Sequence, residues 1–249
     1  MPRYDFSSPR LYVDAPLAAG GQLPLDGTQA NYLRNVMRLK AGDDVLVFNG
    51  RDGEWRASLA DSGKRSVSLS VDEQTRAQTT PRDLHYLFAA LKHARLDYMV
   101  QKAVEMGAAR LQPVSMQHSQ VPRINIERMR ANVIEAAEQC EVLSVPTLAE
   151  EVGLADLIAT WQHKQGLRRL IFADESAPNH APNTQLMDLD GLPIGILVGP
   201  EGGFSDDERQ LLLAQPFVIP ISLGPRILRA DTAAVAALAV VQSTIGDWR

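Results

Sequence analysis

The sequence predicts an α/β domain built on a parallel sheet, preceded by a smaller β-rich module. From residue 83 onwards, apolar runs of strand type alternate with amphipathic helical segments, a pattern typical of parallel sheets. Before that point, short strand-like runs surround one helical segment, which indicates a small barrel. With 249 residues, 45% of them hydrophobic, the chain can bury the cores of both parts.

Local signals define the elements of the β-rich module. We predict a helix from Asp26 or Thr28 to residue 39, with Leu33, Val36 and Met37 on its inner face. Strand-like runs surround this helix, at residues 11–13, 22–25, 45–48, 54–59 and 66–71. Asn-Gly-Arg-Asp-Gly at 49–53 predicts a hairpin, and 61–64 predicts a further turn. Residues 72–82 lack periodicity and are predicted to be a linker.

The α/β part begins with a predicted strand at 84–91 and an exit loop at 92–95. An amphipathic helix follows from Arg95 to Met106, and Gly107 ends it. A strand at 110–116, helices at 126–140 and 153–163, and a strand at 168–173 are predicted next, whereas 177–193 is predicted to be irregular. The last helix, 232–245, has an alanine-rich face that can bury inside the domain or across a two-fold interface.

The composition excludes several classes of protein. A single cysteine, Cys140, leaves no disulfide framework and fits a reducing compartment. The five histidines show no metal-ligand spacing, so we expect no metal. The first residues carry no apolar signal segment, and the longest apolar run, 233–241, is too short to span a membrane. We therefore expect a cytoplasmic protein without a membrane partner.

Two similar stretches near the end of the chain predict a ligand site. The apolar run 194–198 opens into Gly-Pro-Glu-Gly-Gly at 199–203, and Ser205 precedes Glu208 by the capping-box spacing. The run 217–223 likewise opens into Gly-Pro and a helix from about residue 231. Adjacent strands that both end in glycine-proline loops form a crevice, which is the usual ligand site of an α/β sheet.

The spacing of the glycines limits what this crevice can bind. No Gly-Lys-Ser/Thr follows them, so the first loop is not a phosphate-binding P-loop. Their spacing also differs from the dinucleotide fingerprint, and Glu201 would repel a pyrophosphate. Backbone amides and carbonyls suit a neutral or cationic adenosine-type ligand better. Taken alone, the first loop is equally consistent with a tight turn that has no ligand.

Together the two stretches resemble the cofactor loops of a known family. Leu-Val-Gly-Pro-Glu-Gly-Gly-Phe at 197–204 and Leu-Gly-Pro-Arg-Ile-Leu-Arg-Ala-Asp-Thr-Ala at 223–233 are similar to those of the RsmE family. These are SPOUT-class methyltransferases that modify N3 of a uridine in 16S ribosomal RNA. The resemblance implies a PUA-like β-barrel at 1–73 and, at 80–249, a SPOUT domain with a deep trefoil knot. It also implies S-adenosyl-L-methionine as cofactor, the small ribosomal subunit as partner, and a homodimer.

The resemblance also implies which residues form the site. Those expected to bind the cofactor lie in or next to the two loops: Leu197, Gly199, Pro200, Glu201, Gly202, Leu223, Gly224, Leu228 and Thr232. Uracil N3 carries a proton, so a base must remove it or a cation must stabilise the anion. We assign Arg229 to polarising a uracil carbonyl oxygen, and Asp231 to orienting that arginine or accepting the proton. Asp231 is one methylene shorter than the glutamate of most relatives, and a helix N-cap is its alternative role.

RNA contacts are expected from local basic side chains, because the net charge is −5. Arg34 and Arg38 are one turn apart on the predicted helix and, with Arg10 and Lys40, are expected to form a basic edge of the PUA-like domain that the resemblance implies. A solvated helix face would look the same. In the second domain, the string Lys-x-x-Arg-x-Asp-x-x-x-Gln-Lys-x-x-Glu-x-Gly from residue 92 resembles another family motif. It implies RNA contacts by Lys92 and Arg95.

Two stretches depart from the family pattern. His118 stands where the family usually has arginine, so we expect one RNA contact to be weaker or pH-dependent. Residues 141–146, Glu-Val-Leu-Ser-Val-Pro, stand where relatives carry Gly-Arg and a further basic residue. Glu141 therefore adds a negative charge at what the resemblance implies is the rim of the active site, and we expect altered substrate affinity.

Three other functions fit the same residues. A related SPOUT enzyme could modify a different RNA nucleotide, which identification of the modified base would show. A non-catalytic RNA-binding or ribosome-assembly protein would bind the cofactor without turnover. A small-molecule enzyme unrelated to RNA is favoured only by the sequence pI of about 5.6; strong salt dependence of RNA binding would count against it.

Overall fold

The computed structural model describes residues 8–60, 67–121, 124–177 and 182–249, without the side chain of His93. These residues form two compact units. The first consists of the described residues of Met1–Thr80 together with Ala137–Val145, and the second of those of Pro81–Ala136 and Pro146–Arg249. The short segment 137–145 therefore belongs with the β-rich module, although it lies in the middle of the α/β sequence.

A five-stranded sheet forms the first unit. Its strands are β1 (Arg10–Tyr12), β2 (Gln22–Pro24), β3 (Asp44–Phe48), β4 (Glu54–Ala60) and β5 (Ser68–Arg76). They are arranged in the order β1-β3-β4-β5-β2, with β1 parallel to β3 and the other pairs antiparallel. The predicted hairpin between β3 and β4 is confirmed. The predicted turn at 61–64 and the predicted strand start at residue 66 lie outside the described residues.

Polar side chains fix the β3–β4 turn. The amide oxygen of Asn49 accepts hydrogen bonds from the backbone N–H groups of Arg51 and Asp52, at 2.9 and 2.8 Å. The Asp52 carboxylate accepts from the backbone of Leu17 and from the side chain of Asn49, and these hydrogen bonds lower the pKa of Asp52. Gly50 and Gly53 have φ values of 80° and 81°, which glycine adopts without strain.

The linker prediction for residues 72–82 is wrong over its first half, because β5 continues to Arg76. Its polar residues pair with β4 through two register shifts, which lie between Glu54 and Trp55 and between Arg56 and Ala57. The backbone of β4 supplies the hydrogen-bond partners, so this segment forms a strand without apolar alternation. A tertiary contact here overrides a weak local preference.

The helix of the first unit is shorter than predicted. Helix α1 (Gly27–Asn31) begins at an Asp26 capping box and continues as one π-helical turn, Tyr32–Val36. Arg38 then takes a left-handed φ of 60°, and the N–H of Leu39 donates back to the carbonyl of Leu33. Arg38 is therefore outside the helix and does not share a helical face with Arg34, which corrects that prediction.

Because the helix ends early, different apolar side chains are buried from those predicted. Leu33 lies in the core as predicted, but Val36 and Met37 are 61% and 39% exposed. Their burial was predicted from a regular helical period, which the π-helical turn and the left-handed residue interrupt. The predicted inner face therefore contributes one side chain to the core instead of three.

A buried ion network corrects the prediction that Arg10 lies on a basic surface. Arg10 is 8% exposed, forms an ion pair with buried Glu54, and stacks 5.4 Å from the Phe48 ring centre. Arg76 lies 3.6 Å from Glu54 and 3.4 Å from Glu141. Burial lowers the pKa of Arg10, and the two carboxylates oppose that effect. Arg10 is therefore buried within the first unit and is not available to RNA.

A seven-stranded sheet forms the second unit. Its strands are β6 (Leu84–Phe88), β7 (Arg110–Ser115), β8 (Thr147–Leu148), β9 (Val152–Gly153), β10 (Arg169–Ala173), β11 (Ile194–Val198) and β12 (Val218–Ile221). The order is β12-β10-β11-β6-β7-β8, with β9 also on β7, and every recorded pair is parallel. The parallel α/β fold is thereby confirmed. Strand β11 is buried along its whole length between β10 and β6.

Helices lie between and after these strands along the chain. They are α2 (His93–Glu105), α3 (Ile126–Gln139), α4 (Leu154–Gln165), α5 (Pro182–Leu186), α6 (Asp206–Leu213) and α7 (Ala230–Ile245). The last three residues of α3 belong to the first unit. Helix α2 begins two residues earlier than predicted, so Arg95 is in its first turn and not in a loop. The irregular segment predicted at 177–193 contains α5 and a 3₁₀ turn, Met187–Leu189, because Leu186 and Leu189 are buried there. No helix in the described ranges is long and apolar enough to cross a lipid bilayer.

Two buried polar side chains join the elements of this unit. Arg168 donates to the carbonyls of Asp83 and Ile194, both at 3.0 Å, and to the Asp83 carboxylate at 2.7 and 2.8 Å. It thereby ties together the amino ends of β6 and β11. Gln242, which is fully buried on α7, donates to the Met106 carbonyl at 2.7 Å and closes the end of α2. Satisfied buried groups of this kind fix the relative positions of neighbouring elements.

His85 makes the stability of this unit pH-dependent. Burial, and then the positive charge of Arg168, lower the pKa of His85 to about 4, whereas the Asp83 carboxylate, 3.2 Å from Nε2, acts in the opposite direction. Between pH 6.5 and 4 the unfolded chain binds a proton that the folded chain does not. The free energy of unfolding is therefore expected to fall with decreasing pH, by about 2 kcal/mol at pH 4.5.

Urea denaturation at pH 7 and 4.5 measures this loss. His85→Gln removes the titrating group and should make the loss smaller, while His163→Gln, at an exposed position on α4, should keep the wild-type loss. An equal loss in wild type and His85→Gln would contradict the assignment.

Candidate functional site

The exit loops of four parallel strands lie at one edge of the second unit's sheet. Residue Val198 at the end of β11 pairs with Phe88 at the end of β6, and Ala173 of β10 pairs with Ile221 of β12. The N–H of Ala89 donates to the carbonyl of Val198 at 3.3 Å. The two loops that the sequence analysis identified therefore begin at the same edge, as expected for parallel strands. The prediction that their strands are adjacent is wrong, because β10 lies between β11 and β12 and pairs with both.

The first loop, residues 199–205, has a fixed turn and a capped helix. The N–H of Gly203 donates to the Pro200 carbonyl at 3.0 Å, and Gly203 has a φ of 71°. The Ser205 hydroxyl accepts from the N–H of Glu208 at 3.2 Å, while the Glu208 carboxylate accepts from the N–H of Ser205 at 2.9 Å. The predicted capping box is confirmed.

Phe204 explains why residue 199 is a glycine. A β-carbon on Gly199 would lie 2.5 Å from Cε2 of Phe204, closer than carbon atoms approach in proteins. The Phe204 ring packs edge-on against Phe172, with ring centres 4.7 Å apart, and so anchors the loop in the core. Sequence reasoning assigned Gly199 to ligand contact and missed Phe204, because only the fold brings this ring over the glycine.

Side chains from two neighbouring elements hold the outer part of the first loop. Arg95, in the first turn of α2, forms an ion pair with Glu201. His118, in the turn after β7, places Nδ1 3.1 Å from the Gly203 carbonyl oxygen. The N–H of Gln117 donates to the Glu208 carboxylate at 2.8 Å. Arg95, predicted as an RNA contact, is thus brought together with the first loop.

The second loop, residues 222–229, begins at a buried residue and has an exposed tip. Ser222 is fully buried, and its hydroxyl lies 3.4 Å from both the N–H and the carbonyl oxygen of Gly224. Gly224 has a φ of 109°, and a β-carbon there would meet no atom within 4 Å. Ile227 at the tip is 84% exposed. The loop therefore borders open space on the side where Gly224 stands.

Both predicted catalytic residues lie at the start of α7. Arg229 is exposed and occupies the N-cap position without a side-chain capping bond, so it takes the role that was the alternative for Asp231. Asp231 lies in the first turn, and its carboxylate accepts from the N–H of Thr232 at 2.9 Å. Burial, and then the negative charge of Asp231, raise the pKa of Tyr86 on β6. This charge therefore acts close to the centre of the sheet.

The remaining predicted contacts divide between the two units. Arg34 is partly exposed and Arg38 exposed in the first unit, and Lys92 is exposed before α2 in the second. Glu141 has a left-handed φ of 56°, and its carboxylate pairs with Arg76 of the same unit. The negative charge that Glu141 adds is thus balanced locally.

A groove of about 410 Å³ lies beside the first loop. The lining residues come from the end of β7, the start of α4 and the start of α6: Ser115, Met116, Gln117, Gly153, Leu154, Ala155, Asp207, Glu208 and Leu211. We call it the side groove. Within the described ranges, no cluster of three or more His, Cys, Asp or Glu residues could hold a metal ion.

Comparison with protein families and known proteins gives consistent matches. The family model of the RNA methyltransferase domain matches residues 78–242, and that of the RNA methyltransferase PUA domain matches residues 25–72. Ribosomal RNA small subunit methyltransferase E of Rickettsia conorii is 33% identical over 94% of both chains. The protein of that name from Synechocystis is 31% identical over 95% of this chain and 78% of its own.

Solved structures agree with these matches. Ribosomal RNA small subunit methyltransferase E of Neisseria gonorrhoeae, bound to S-adenosyl methionine, superposes with a TM-score of 0.79 at 25% identity, covering 97% of this chain and all of its own. A Legionella pneumophila protein in complex with bound SAM superposes with a TM-score of 0.82 at 28% identity, covering 95% of this chain and 97% of its own.

Gly199→Ala tests the packing of the first loop. The added β-carbon would push the Phe204 ring away from Phe172, so we expect the free energy of unfolding to decrease by about 1–3 kcal/mol. Gly27→Ala is the matched control, since its β-carbon would meet no atom within 4 Å and its effect should stay within about 0.5 kcal/mol. Chemical denaturation of the two variants and the wild type measures both effects. Equal stability of Gly199→Ala and wild type would contradict the packing.

Proposed function

The chain belongs to the RNA methyltransferase family, and we propose that it transfers a methyl group from S-adenosyl-L-methionine to N3 of a uridine in 16S ribosomal RNA. The observation that carries this proposal is the pair of glycine-proline loops at one edge of the parallel sheet. The same two loops carry the motifs that resemble the RsmE family. Relatives named for ribosomal RNA small subunit methylation match along nearly the whole chain.

The loops fit an adenosine-type cofactor held by backbone groups. The first loop is closed underneath by Phe204 and the second borders open space at Gly224, so the ligand would bind on the open side. Leu197 is fully buried within β11, so in this proposal it supports the first loop from the end of the strand. We assign cofactor binding to the residues named in the sequence analysis, which are Leu197, Gly199, Pro200, Glu201, Gly202, Leu223, Gly224, Leu228 and Thr232.

The start of α7 supplies the groups needed for transfer. When bound, S-adenosyl-L-methionine would supply an electrophilic methyl group on a sulfonium sulfur, with S-adenosylhomocysteine as the leaving group, and the chain would have to align uracil N3 with that methyl group and provide for removal of the N3 proton. Exposed Arg229 stabilises the negative charge that develops on the uracil oxygens. Asp231 accepts the proton directly or through water, or orients Arg229. The N-terminus of α7 carries the positive end of the helix dipole, which further stabilises the deprotonated uracil ring.

Recognition of RNA depends on local basic groups, since the net charge is −5. We assign contacts with RNA to Arg34 and Arg38 of the first unit and to Lys92 of the second. Arg10 is left out because it is buried. The exposed Val36 and Met37 directly precede Arg38 and offer apolar contact to an unstacked base. In this proposal the β-rich unit is the PUA-like RNA-binding domain and the α/β unit carries the chemistry. The target uridine leaves its stack to reach the pocket.

The knot, the homodimer and the cytoplasmic location remain proposals that rest on the family. Leu238, Val241 and Ile245 of α7 are buried within the second unit, so they are not free for a two-fold interface. Val235 on the same helix is only partly buried and is the stronger candidate for one. The second candidate function is a SPOUT-type RNA-binding or assembly protein, and the shortened Asp231 favours it.

A methyl-transfer assay tests the proposed function. Small subunits from cells lacking this gene serve as acceptor with labelled S-adenosyl-L-methionine, followed by nucleoside analysis of the 16S RNA. We expect N3-methyluridine, and Arg229→Ala should lower kcat by about 100-fold or more. Its Kd for the cofactor should change less than about twofold, because Arg229 acts on the base. Cofactor binding without any methylated nucleoside would contradict catalysis and support the second candidate.

Arg95 and Glu201 should contribute to cofactor affinity as a pair. Arg95→Ala and Glu201→Ala should each raise the cofactor Kd about two- to fivefold, because each frees the first loop. In the double variant the effects should not add, with a coupling energy of about 0.5–1 kcal/mol for this partly exposed pair. Calorimetric titration of the four proteins measures the cycle. If Arg95→Ala instead leaves the cofactor affinity unchanged and raises the KM for small subunits, Arg95 contacts only RNA.

A further inference from the structure

His118 makes a contact that the sequence did not predict. Its Nδ1 atom lies 3.1 Å from the carbonyl oxygen of Gly203, within the first loop. We propose that His118 is a positioning residue, which holds this loop in the conformation that binds the cofactor. The inference rests on the proposed function, since it assigns the loop to S-adenosyl-L-methionine. In this role His118, which stands where the family usually has arginine, positions the first loop instead of contacting RNA.

The partner atom determines the tautomer of the histidine. A carbonyl oxygen only accepts, so Nδ1 must carry the hydrogen and donate it. In the neutral ring, Nε2 then has the lone pair, and in the charged ring both nitrogens donate. The hydrogen bond to Gly203 is present in both charge states. The contact therefore does not require a charged side chain.

The turn that carries His118 is itself fixed on both sides. The N–H of Met116 donates to the Ser119 hydroxyl and the N–H of Ser119 donates to the Met116 carbonyl, both at 3.0 Å. Between them, the N–H of Gln117 donates to Glu208, which caps α6. The imidazole is thus presented to the first loop from a turn already tied to the end of that loop.

Close packing at Gly202 supports the same role. A β-carbon on Gly202 would lie 3.0 Å from Cβ of His118, so the backbone of the loop lies directly against the histidine. Glu201, one residue earlier, is held from the other side by Arg95. Arg95 and His118, which lie on different elements, therefore hold the loop at Glu201 and at Gly202 and Gly203. Removing either contact should leave the chemistry intact and loosen cofactor binding.

Three substitutions separate the hydrogen bond from the bulk of the ring. The amide nitrogen of asparagine can stand where Nδ1 stands and donate the same bond, whereas that of glutamine reaches the position of Nε2. We expect His118→Ala and His118→Gln to raise the cofactor Kd about three- to tenfold, the effect of losing one net hydrogen bond. His118→Asn should stay within about twofold of wild type. At saturating cofactor, kcat and the KM for small subunits should be unchanged in all three.

Two measurements keep this inference separate from the proposed function. Calorimetry gives the Kd for S-adenosyl-L-methionine, and amide hydrogen exchange of residues 199–205 in the free protein reports the loop without any cofactor. Faster exchange in His118→Ala and His118→Gln, but not in His118→Asn, supports the contact. Unchanged exchange in His118→Ala, or a raised KM for small subunits with an unchanged cofactor Kd, overturns the inference. If the wild type does not bind S-adenosyl-L-methionine, although residues 199–205 are protected from exchange, the proposed function is overturned and the positioning role with it.

Discussion

The hydrogen bonding of β11 to β10 on one side and to β6 on the other determines where the chemistry can occur. Because β11 is buried and parallel to both neighbours, its exit loop must emerge among theirs at one edge of the sheet. Arg168 fixes the opposite ends of β6 and β11, and α7 packs on this part of the sheet. The first loop, the second loop and the start of α7 all take their places from this arrangement.

A glycine-rich loop at such an edge needs support, because glycine has the most conformational freedom to lose. Here the support comes from contacts of different kinds. Phe204 closes the inner side over Gly199, the Ser205 capping box fixes the exit, and Arg95 and His118 hold the outer residues. These contacts leave the backbone of the loop ordered before a ligand arrives, which reduces the entropy lost on binding.

The sequence was informative where the cause is local. The longer strands of the parallel sheet, the capping box at Ser205 and the alternation that indicates a parallel sheet depend on neighbouring residues, and they were predicted correctly, whereas the two-residue strands β8 and β9 were not predicted. The family resemblance implied RNA contacts at Arg10, Arg95 and His118, but it could not show their partners within the chain, which lie far away along the sequence. Only the fold places Glu54, Glu201 and Gly203 beside them. The same reason explains β5, where pairing with β4 orders a segment that has no apolar period.

A crystal structure of the protein with S-adenosyl-L-methionine would test the role of the two loops most directly. We expect the cofactor to lie against the backbone of residues 199–202 and 223–228, on the open side of Gly224, with the hydrogen bond from His118 to Gly203 intact. A cofactor bound in the side groove, against Ser115, Leu154 and Asp207, with the two glycine-proline loops free of ligand, would contradict this role.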